Sequence, residues 1–305
     1  MRRALQLARN GEGHVAPNPM VGAVITAPDG RIIGEGYHAE YGKPHAEVNA
    51  VASVKKVDIH LLREATIYVT LEPCAHFGKT PPCANLLVEK NFRRVVIASS
   101  DPNPKVAGKG VKILRDAGID VTEGVLRKEA DDLNKRFMTF HLKKRPWILL
   151  KWAQSADGFM ATKDENGNPK GVRFSNQLSQ LWMHKERAAI EAIMVGSNTK
   201  IIDQPRLDCR LWKGRNPEII DCCHHIDLDN LMRDLYERNI SSLMVEGGRK
   251  LLDSFIHAGL YDEIRVETSH HKLGQGLKAP ALPENIMLLD SFSTRGNLIV
   301  TYRHL

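Results

Sequence analysis

Three side chains with the chemistry of soft-metal ligands stand beside prolines in a split cluster: Pro44-His45-Ala46-Glu47, Glu72-Pro73-Cys74 and Pro81-Pro82-Cys83. One imidazole and two thiolates fill three positions of a tetrahedral zinc ion and leave the fourth open to water, as a catalytic site requires. Glu47 lies two residues from the histidine and is not needed as a ligand. Zinc lowers the pKa of a bound water toward about 7, and a neighbouring carboxylate can carry the proton to a leaving amine. His45, Cys74 and Cys83 are therefore expected to hold Zn2+, with Glu47 as the catalytic acid-base that helps remove an amino group from a heteroaromatic ring.

The competing reading is a closed zinc knuckle or unrelated core residues. Closed sites show four ligands with tight Cys-x2-Cys spacing, whereas eight residues separate Cys74 from Cys83. The zinc deaminase pattern, H-x-E followed by P-C-x-x-C, is met at its first half and at both Pro-Cys steps, with an insertion from Ala75 to Pro82. The carboxylate at that offset and the prolines have no role in a closed knuckle.

The elements that must position these groups are legible locally. Val21 to Ile25 and Arg31 to Gly34 flank the turn signal Pro28-Asp29-Gly30, so a hairpin precedes the site. His45 opens a helix whose apolar positions include Val48, Val51 and Ala52, and an i, i+2 pair at a helix start can aim two side chains at one point. Thr66 to Thr70 reads as a buried strand, and Cys74 is expected near the start of a second helix, where a thiolate gains from unpaired amides. Strands at Arg94 to Ala98 and Asp120 to Thr122, with a helix from about Gly108 to Ala117 between them, argue an α/β arrangement.

Asn18-Pro19-Met20-Val21-Gly22, Pro44 to Glu47, Leu71 to Cys74, Gly78-Lys79-Thr80-Pro81-Pro82-Cys83 and Asp101-Pro102-Asn103-Pro104 together resemble the deaminase half of the bifunctional deaminase-reductase family of riboflavin biosynthesis. That family differs from cytidine and tRNA adenosine deaminases in the same longer Cys-to-Cys segment. The resemblance implies a cytidine-deaminase-like α/β/α sandwich over residues 1–144, with Asn18, His76 and Lys79 contacting the pyrimidine or its phosphate.

With 305 residues the chain has about twice the length of a typical domain. Lys143-Lys144-Arg145-Pro146 marks a joint, and Trp147-Ile148-Leu149-Leu150-Lys151-Trp152 then starts a new buried strand. A lone lysine in such a strand is ordinarily a snorkelling surface group. Its neighbours shift the balance: Ser155 to Gly158, Ala192 to Gly196 with Thr199, Asp203-Gln204-Pro205-Arg206-Leu207, and Ser242 to Gly248. These segments resemble the reductase half of the same family, a dihydrofolate-reductase-like α/β domain over 145–305. The strand through Leu243 to Val245 runs into Glu246-Gly247-Gly248 and then a helix through Leu251, Leu252 and Phe255, which suits a phosphate: glycines admit close approach and a helix start offers free amides. By the resemblance, Gly247, Gly248, Thr199 and Asp203 contact NADPH, while Lys151, Arg187, Leu207, Arg210 and Glu246 contact the ribose-phosphate substrate.

The second half also departs from the family. Arg173-Phe174-Ser175 stands where relatives have Trp-Ile-Thr/Ser, and Gly214-Arg215-Asn216-Pro217 runs directly into Glu218-Ile219-Ile220-Asp221 where relatives carry a further strand and loop. The domain is therefore expected to be shortened near 217–221. Cys222-Cys223-His224-His225 falls there, but adjacent residues point apart along an extended chain and do not surround one ion.

A net charge of +7 and a pI near 9.1 admit a rival from another class, a deaminase that flips a base of nucleic acid into its pocket. Against it, the basic residues are dispersed among 36 acidic ones and aromatics are only 6%, so no basic stripe with a stacking platform is evident in the sequence. A small anionic substrate accounts for the charge equally well. A third reading keeps the deaminase and makes the second domain inactive or structural; NADPH binding separates the two. No apolar run is long enough to span a bilayer, and Met1-Arg2-Arg3-Ala4-Leu5 is expected to lead into a short amphipathic helix in place of a secretory signal. Five cysteines, two of them metal ligands, leave no even disulfide framework. The expectation is a cytoplasmic, homo-oligomeric bifunctional enzyme that binds neither nucleic acid nor membrane, uses Zn2+ and NADPH, and acts on a phosphorylated pyrimidine.

Overall fold

A computed structural model of the chain describes residues 1–75, 81–103, 106–221 and 227–305, apart from the side chains of Asn198, Ile202 and Asp203. The chain divides into two compact units, Met1–Lys144 and Arg145–Leu305. Among the described residues no helix is long and apolar enough to cross a membrane.

The first unit runs α1 (Arg2–Ala8), β1 (Gly22–Thr26), β2 (Ile32–Tyr37), α2 (Ala46–Ala52), β3 (Thr66–Leu71), α3 (Cys83–Glu89), β4 (Arg94–Ser99), α4 (Lys109–Asp116), β5 (Asp120–Thr122), α5 (Arg127–Leu133) and α6 (Lys135–Lys143). The expected hairpin is β1 and β2, and β1 also pairs antiparallel with β3. From β3 outward the sheet is parallel, in the order β2-β1-β3-β4-β5. Alternation along the strands sends Ile25, Ile67, Val69, Val95 and Ile97 to one face, where Ala50 of α2, Leu87 of α3 and Leu114 of α4 cover them. Each such buried side chain contributes about 1.5–3 kcal/mol. Leu5 of α1 and Ala130 of α5 pack with Ala98, giving helices on both faces. Gly36 lets α2 lie directly on β2: a Cβ there would stand 2.3 Å from the Ala50 nitrogen. That close approach fixes the helix whose start carries His45 and Glu47.

The second unit runs β6 (Trp147–Gln154), β7 (Phe159–Lys163), β8 (Pro169–Gly171), α7 (Gln177–Ala189), β9 (Ala192–Val195), α8 (Ser197–Asp203), β10 (Glu218–Ile220), α9 (Leu228–Glu237), β11 (Ser242–Glu246), α10 (Arg249–His257), β12 (Glu263–Thr268), β13 (Leu277–Lys278), β14 (Ile286–Thr294) and β15 (Asn297–His304). Its main sheet has the order β10-β9-β11-β6-β12-β15-β14. The first five strands are parallel, and β15 and β14 run antiparallel at the edge. Ile148, Leu150 and Trp152 face Met232, Leu235, Leu252 and Phe255 of α9 and α10, whereas Leu149 and Met244 point to the opposite face with Ile193 and Leu207. Period-two alternation then puts Lys151 and Glu246 on that second face.

Candidate functional site

In the first unit, His45 caps α2 in an extended conformation (φ −72°, ψ 168°), and Glu47 sits buried in the first turn. The His45 Nδ1 lies 3.6 Å from Cys74 Sγ and 3.3 Å from Cys83 Sγ, and the three ligand atoms fall within 4.8 Å of one another. Ligands on a tetrahedral zinc, with bonds of about 2.0 Å to nitrogen and 2.3 Å to sulfur, stand about 3.5–3.8 Å apart. The donor set and its spacing fit that ion.

One expectation needs correcting. Cys74 does not start a helix; it follows β3 in an irregular segment, and Cys83 starts α3 with Pro82 as its cap. Proline is suited to a helix start because its missing N–H would be unpaired there anyway. The helix amide still reaches the thiolate, since the Cys83 N–H donates to Cys74 Sγ at 3.3 Å. A hydrogen bond from the Cys83 thiol, against burial and with help from His45, brings Cys74 down to about 4. That same bond, together with burial, pushes Cys83 up. Burial lifts the Glu47 carboxyl to about 7, and the Cys74 charge adds to the rise. A carboxyl near 7 can both take and return a proton at neutral pH.

Two further residues shape this site without a signal of their own in the sequence. His38 is buried, with Nδ1 3.2 Å from the Pro44 carbonyl and Nε2 3.2 Å from Asn18 Nδ2, and its ring meets His45 edge-on. Glu72 is buried directly before Pro73-Cys74 and accepts backbone N–H bonds from Asp101, Gly108, Gly110 and Val111. Both depend on partners distant in the chain, which no local pattern announces. His76 and Lys79 lie outside the described residues, as do Cys222, Cys223, His224 and His225.

In the second unit, Lys151 of β6 stands in register with Glu246 of β11 and Arg265 of β12. Its Nζ is 3.1 Å from Met183 Sδ, a weak acceptor. Arg187 of α7 forks onto Glu246, with Nε–Oε1 at 3.0 Å and Nη2–Oε2 at 2.8 Å, and its Nη1 donates to the Asp208 carbonyl at 3.2 Å. Burial alone would raise Glu246, but the charges of Lys151 and Arg187 hold it below the usual carboxylate value. Arg210 is paired with the Asp208 carboxylate. Leu207 has its side chain in the core cluster with Leu149 and Met244, and its backbone sits at φ +53°. His184, also on α7, is buried, and its Nδ1 has no partner among the described residues. Burial first, then Arg187 and Arg210, push its pKa down.

Gly247 and Gly248 leave β11 at φ +67° and +72°, a conformation that favours glycine. A Cβ on Gly248 would lie 3.2 Å from Thr199 Oγ1, and one on Gly247 would lie 3.4 Å from Thr199 Cγ2. The structure thus brings Thr199 of α8 against the glycine pair and leaves a bare backbone cradle at the start of α10, which fits a cofactor phosphate. Asp203 ends α8.

Residues 1–99 match the cytidine and deoxycytidylate deaminase zinc-binding region. Residues 146–220 and 213–286 match the RibD C-terminal domain in two segments that overlap where the family resemblance breaks. The riboflavin biosynthesis protein RibD of Aquifex aeolicus is 37% identical over 321 residues, covering 91% of this chain and 88% of the relative. Among solved structures, the diaminohydroxyphosphoribosylaminopyrimidine deaminase/5-amino-6-(5-phosphoribosylamino)uracil reductase of Thermotoga maritima is similar with a TM-score of 0.87 at 35% identity, over 100% of this chain and 97% of that one. RibD of Acinetobacter baumannii, form 1, gives 0.85 at 29% identity, over 100% and 97%.

Proposed function

Because the chain belongs to the RibD family of bifunctional deaminase-reductases of riboflavin biosynthesis, we propose the division of labour among its own residues. Residues 1–144 deaminate 2,5-diamino-6-(5-phosphoribosylamino)pyrimidin-4(3H)-one, and residues 145–305 reduce the ribosyl group of the product to ribityl with NADPH. His45, Cys74 and Cys83 hold zinc. When bound, zinc supplies a Lewis acid that makes water nucleophilic near neutral pH, with a pKa of about 7.

Glu47 takes a proton from the attacking water as its oxygen bonds to ring C2. The C2=N1 π pair moves to N1, which receives that proton from Glu47; Glu47 then takes the proton of the new hydroxyl as C2=O forms and hands it to the 2-amino nitrogen, which leaves as ammonia when its bond to C2 breaks. Asn18, His76 and Lys79 contact the pyrimidine or its phosphate. In the second unit Lys151, Glu246, Arg187, Leu207 and Arg210 surround the ribose-phosphate, and Thr199, Asp203, Gly247 and Gly248 hold the NADPH. The exposed side chains Met287, Leu288 and Leu289 on the edge strand β14 support a homo-oligomer, since an uncovered apolar edge invites pairing. Cys209, which forms no disulfide, suits a reducing cytoplasm. Nucleic acid is not a substrate.

The observation that carries the deaminase assignment is the buried Glu47 carboxyl beside three ligand atoms within 4.8 Å of one another. Glu47→Gln tests it. That variant should keep its zinc and its fold and lose deamination by about 100-fold or more. Normal deamination would assign the proton to another group, and loss of zinc would make Glu47 structural.

A further inference from the structure

Helix α7 lies over a row of charges on the second face of the sheet. Glu246 of β11, Lys151 of β6 and Arg265 of β12 stand side by side in register. Met183, Glu186 and Arg187 of α7 share one helix face through their i, i+3 and i+4 spacing. Arg187 forks onto Glu246, and Glu186 pairs with Arg265, so two members of the row meet a partner of opposite charge. Lys151 meets a neutral atom instead, the Met183 sulfur at 3.1 Å. A further carboxylate, Glu267, lines the same small cavity as Lys151 and Met183. Its oxygens are committed to the Ser175 hydroxyl at 2.6 Å and the Asn297 amide at 2.7 Å.

We infer that Met183 is a positioning residue of the reductase: its thioether holds the Lys151 ammonium in place without neutralising it, which leaves the charge for an oxygen of the ribose-phosphate substrate. The inference rests on the reading of the second unit as a reductase with Lys151 at its substrate site. An ammonium has three donors, so one can stay on the sulfur while the other two serve the ligand. A thioether is a weak acceptor, whereas a carboxylate in its place would make a charge-assisted bond about twice as strong as a neutral one. The substrate would then have to displace that partner before reaching the lysine. A purely aliphatic side chain fails in the opposite way. It leaves the flexible four-carbon stem of Lys151 without an anchor, and the ammonium is not fixed when the substrate arrives. Met183 avoids both failures, because it packs as an unbranched apolar chain and still carries one soft acceptor.

The test is calorimetry on the full chain with ribose 5-phosphate as the probe, with the KM of the reductase for the deaminated pyrimidine measured in parallel. Met183→Glu and Met183→Gln are nearly equal in size and differ in charge. Met183→Glu should weaken ribose 5-phosphate and raise KM about 10- to 100-fold, the range of a hydrogen bond to a charged group. Met183→Gln, a neutral acceptor of similar reach, should stay within about 3-fold of the wild type, and Met183→Leu should lose about 3- to 10-fold, one neutral hydrogen bond's worth. The Kd for NADPH and the thermal midpoint, which a merely structural role would move, should hold in Met183→Gln and Met183→Leu. Equal losses in Met183→Glu and Met183→Gln would make packing the cause, and wild-type binding in Met183→Glu or Met183→Leu would show that the sulfur positions nothing; each outcome overturns the inference while the reductase reading stands. Should Met183→Glu melt early, the difference between Met183→Gln and Met183→Leu still decides. A wild-type chain that neither binds ribose 5-phosphate nor oxidises NADPH with the pyrimidine overturns the reductase reading, and the inference with it.

Discussion

The Glu72 carboxylate accepts the Gly110 N–H at 3.0 Å, and this bond ties the residue two positions before Cys74 to the first turn of α4. Three more amides, from Asp101, Gly108 and Val111, converge on the same carboxylate. Replacing it with Ala leaves buried donors without an acceptor, and hydrogen bonds to a charged group are worth about 1.5–3 kcal/mol each. Glu72→Ala should therefore destabilise the first unit by about 3–5 kcal/mol and lower its zinc content, with Glu72→Gln falling between. Denaturant unfolding of that unit with parallel metal analysis checks this; an unchanged transition would mean that the amides find water instead.

His38 sets which way Asn18 faces. The Pro44 carbonyl can only accept, so Nδ1 carries the proton. Burial pushes the His38 pKa down, so the ring is neutral and Nε2 can only accept the bond from Asn18 Nδ2. The Asn18 Oδ1 is thereby turned away from His38, free to accept from a pyrimidine N–H. His38→Ala should raise the KM for the pyrimidine about 10-fold, one hydrogen bond's worth, with kcat and zinc content nearly unchanged, and His38→Gln should recover part of it. A fall in zinc content would show that His38 acts by packing on His45.

These two residues mark the limit of what the sequence discloses. The strands Thr66–Leu71, Arg94–Ser99, Trp147–Gln154 and Ser242–Glu246 are short apolar runs with clear ends, and they fall where periodicity puts them. The cap at His45 is likewise local. The placement of Cys74 goes astray because the start signal belongs to Pro81-Pro82, ahead of Cys83. The β14–β15 hairpin escapes because Met287, Leu288 and Leu289 are exposed and the pairing slips between Leu288 and Asp290, so no clean alternation survives. The pairing of Arg187 with Glu246 joins residues 59 apart in the chain, and nothing local reports a contact that only the sheet creates.

Arg187 and Glu246 form a buried bidentate pair. Breaking one partner strands a charge, whereas removing both does not. Arg187→Met and Glu246→Gln should each destabilise the second unit by about 3–5 kcal/mol, and the double variant should recover much of that, a coupling that a double-mutant cycle measures. Additive losses would show that the two charges do not depend on each other. The pair also fixes a pH dependence. Glu246 is depressed below its ordinary 4.5, so its stabilisation is present above that value and is lost as pH falls through the lower folded value. The thermal midpoint of the wild-type second unit should drop more steeply on acidification below about pH 4.5 than that of Glu246→Gln.

Gly247 provides the sharpest test of the cofactor cradle, because backbone strain and steric blocking can be separated there. At φ +67° any branched residue is strained, and a side chain would also grow toward Thr199 Cγ2, 3.4 Å from the first added carbon. Strain of that kind costs about 1–3 kcal/mol, whereas blocking the close approach of a phosphate to the backbone of this turn and to the first amides of α10 removes binding itself; the Gly247 N–H itself is donated to the Lys151 carbonyl. Gly247→Val should lose both stability and NADPH affinity. Gly247→Asn tolerates the left-handed backbone and should keep most of the stability while still losing affinity by about 10-fold or more, one tenfold step being about 1.4 kcal/mol. Nicotinamide fluorescence titration with thermal melts on both variants decides the matter. If Gly247→Asn binds NADPH as the wild type does, the phosphate does not lie over this turn, and the glycines serve only to bend the chain out of β11.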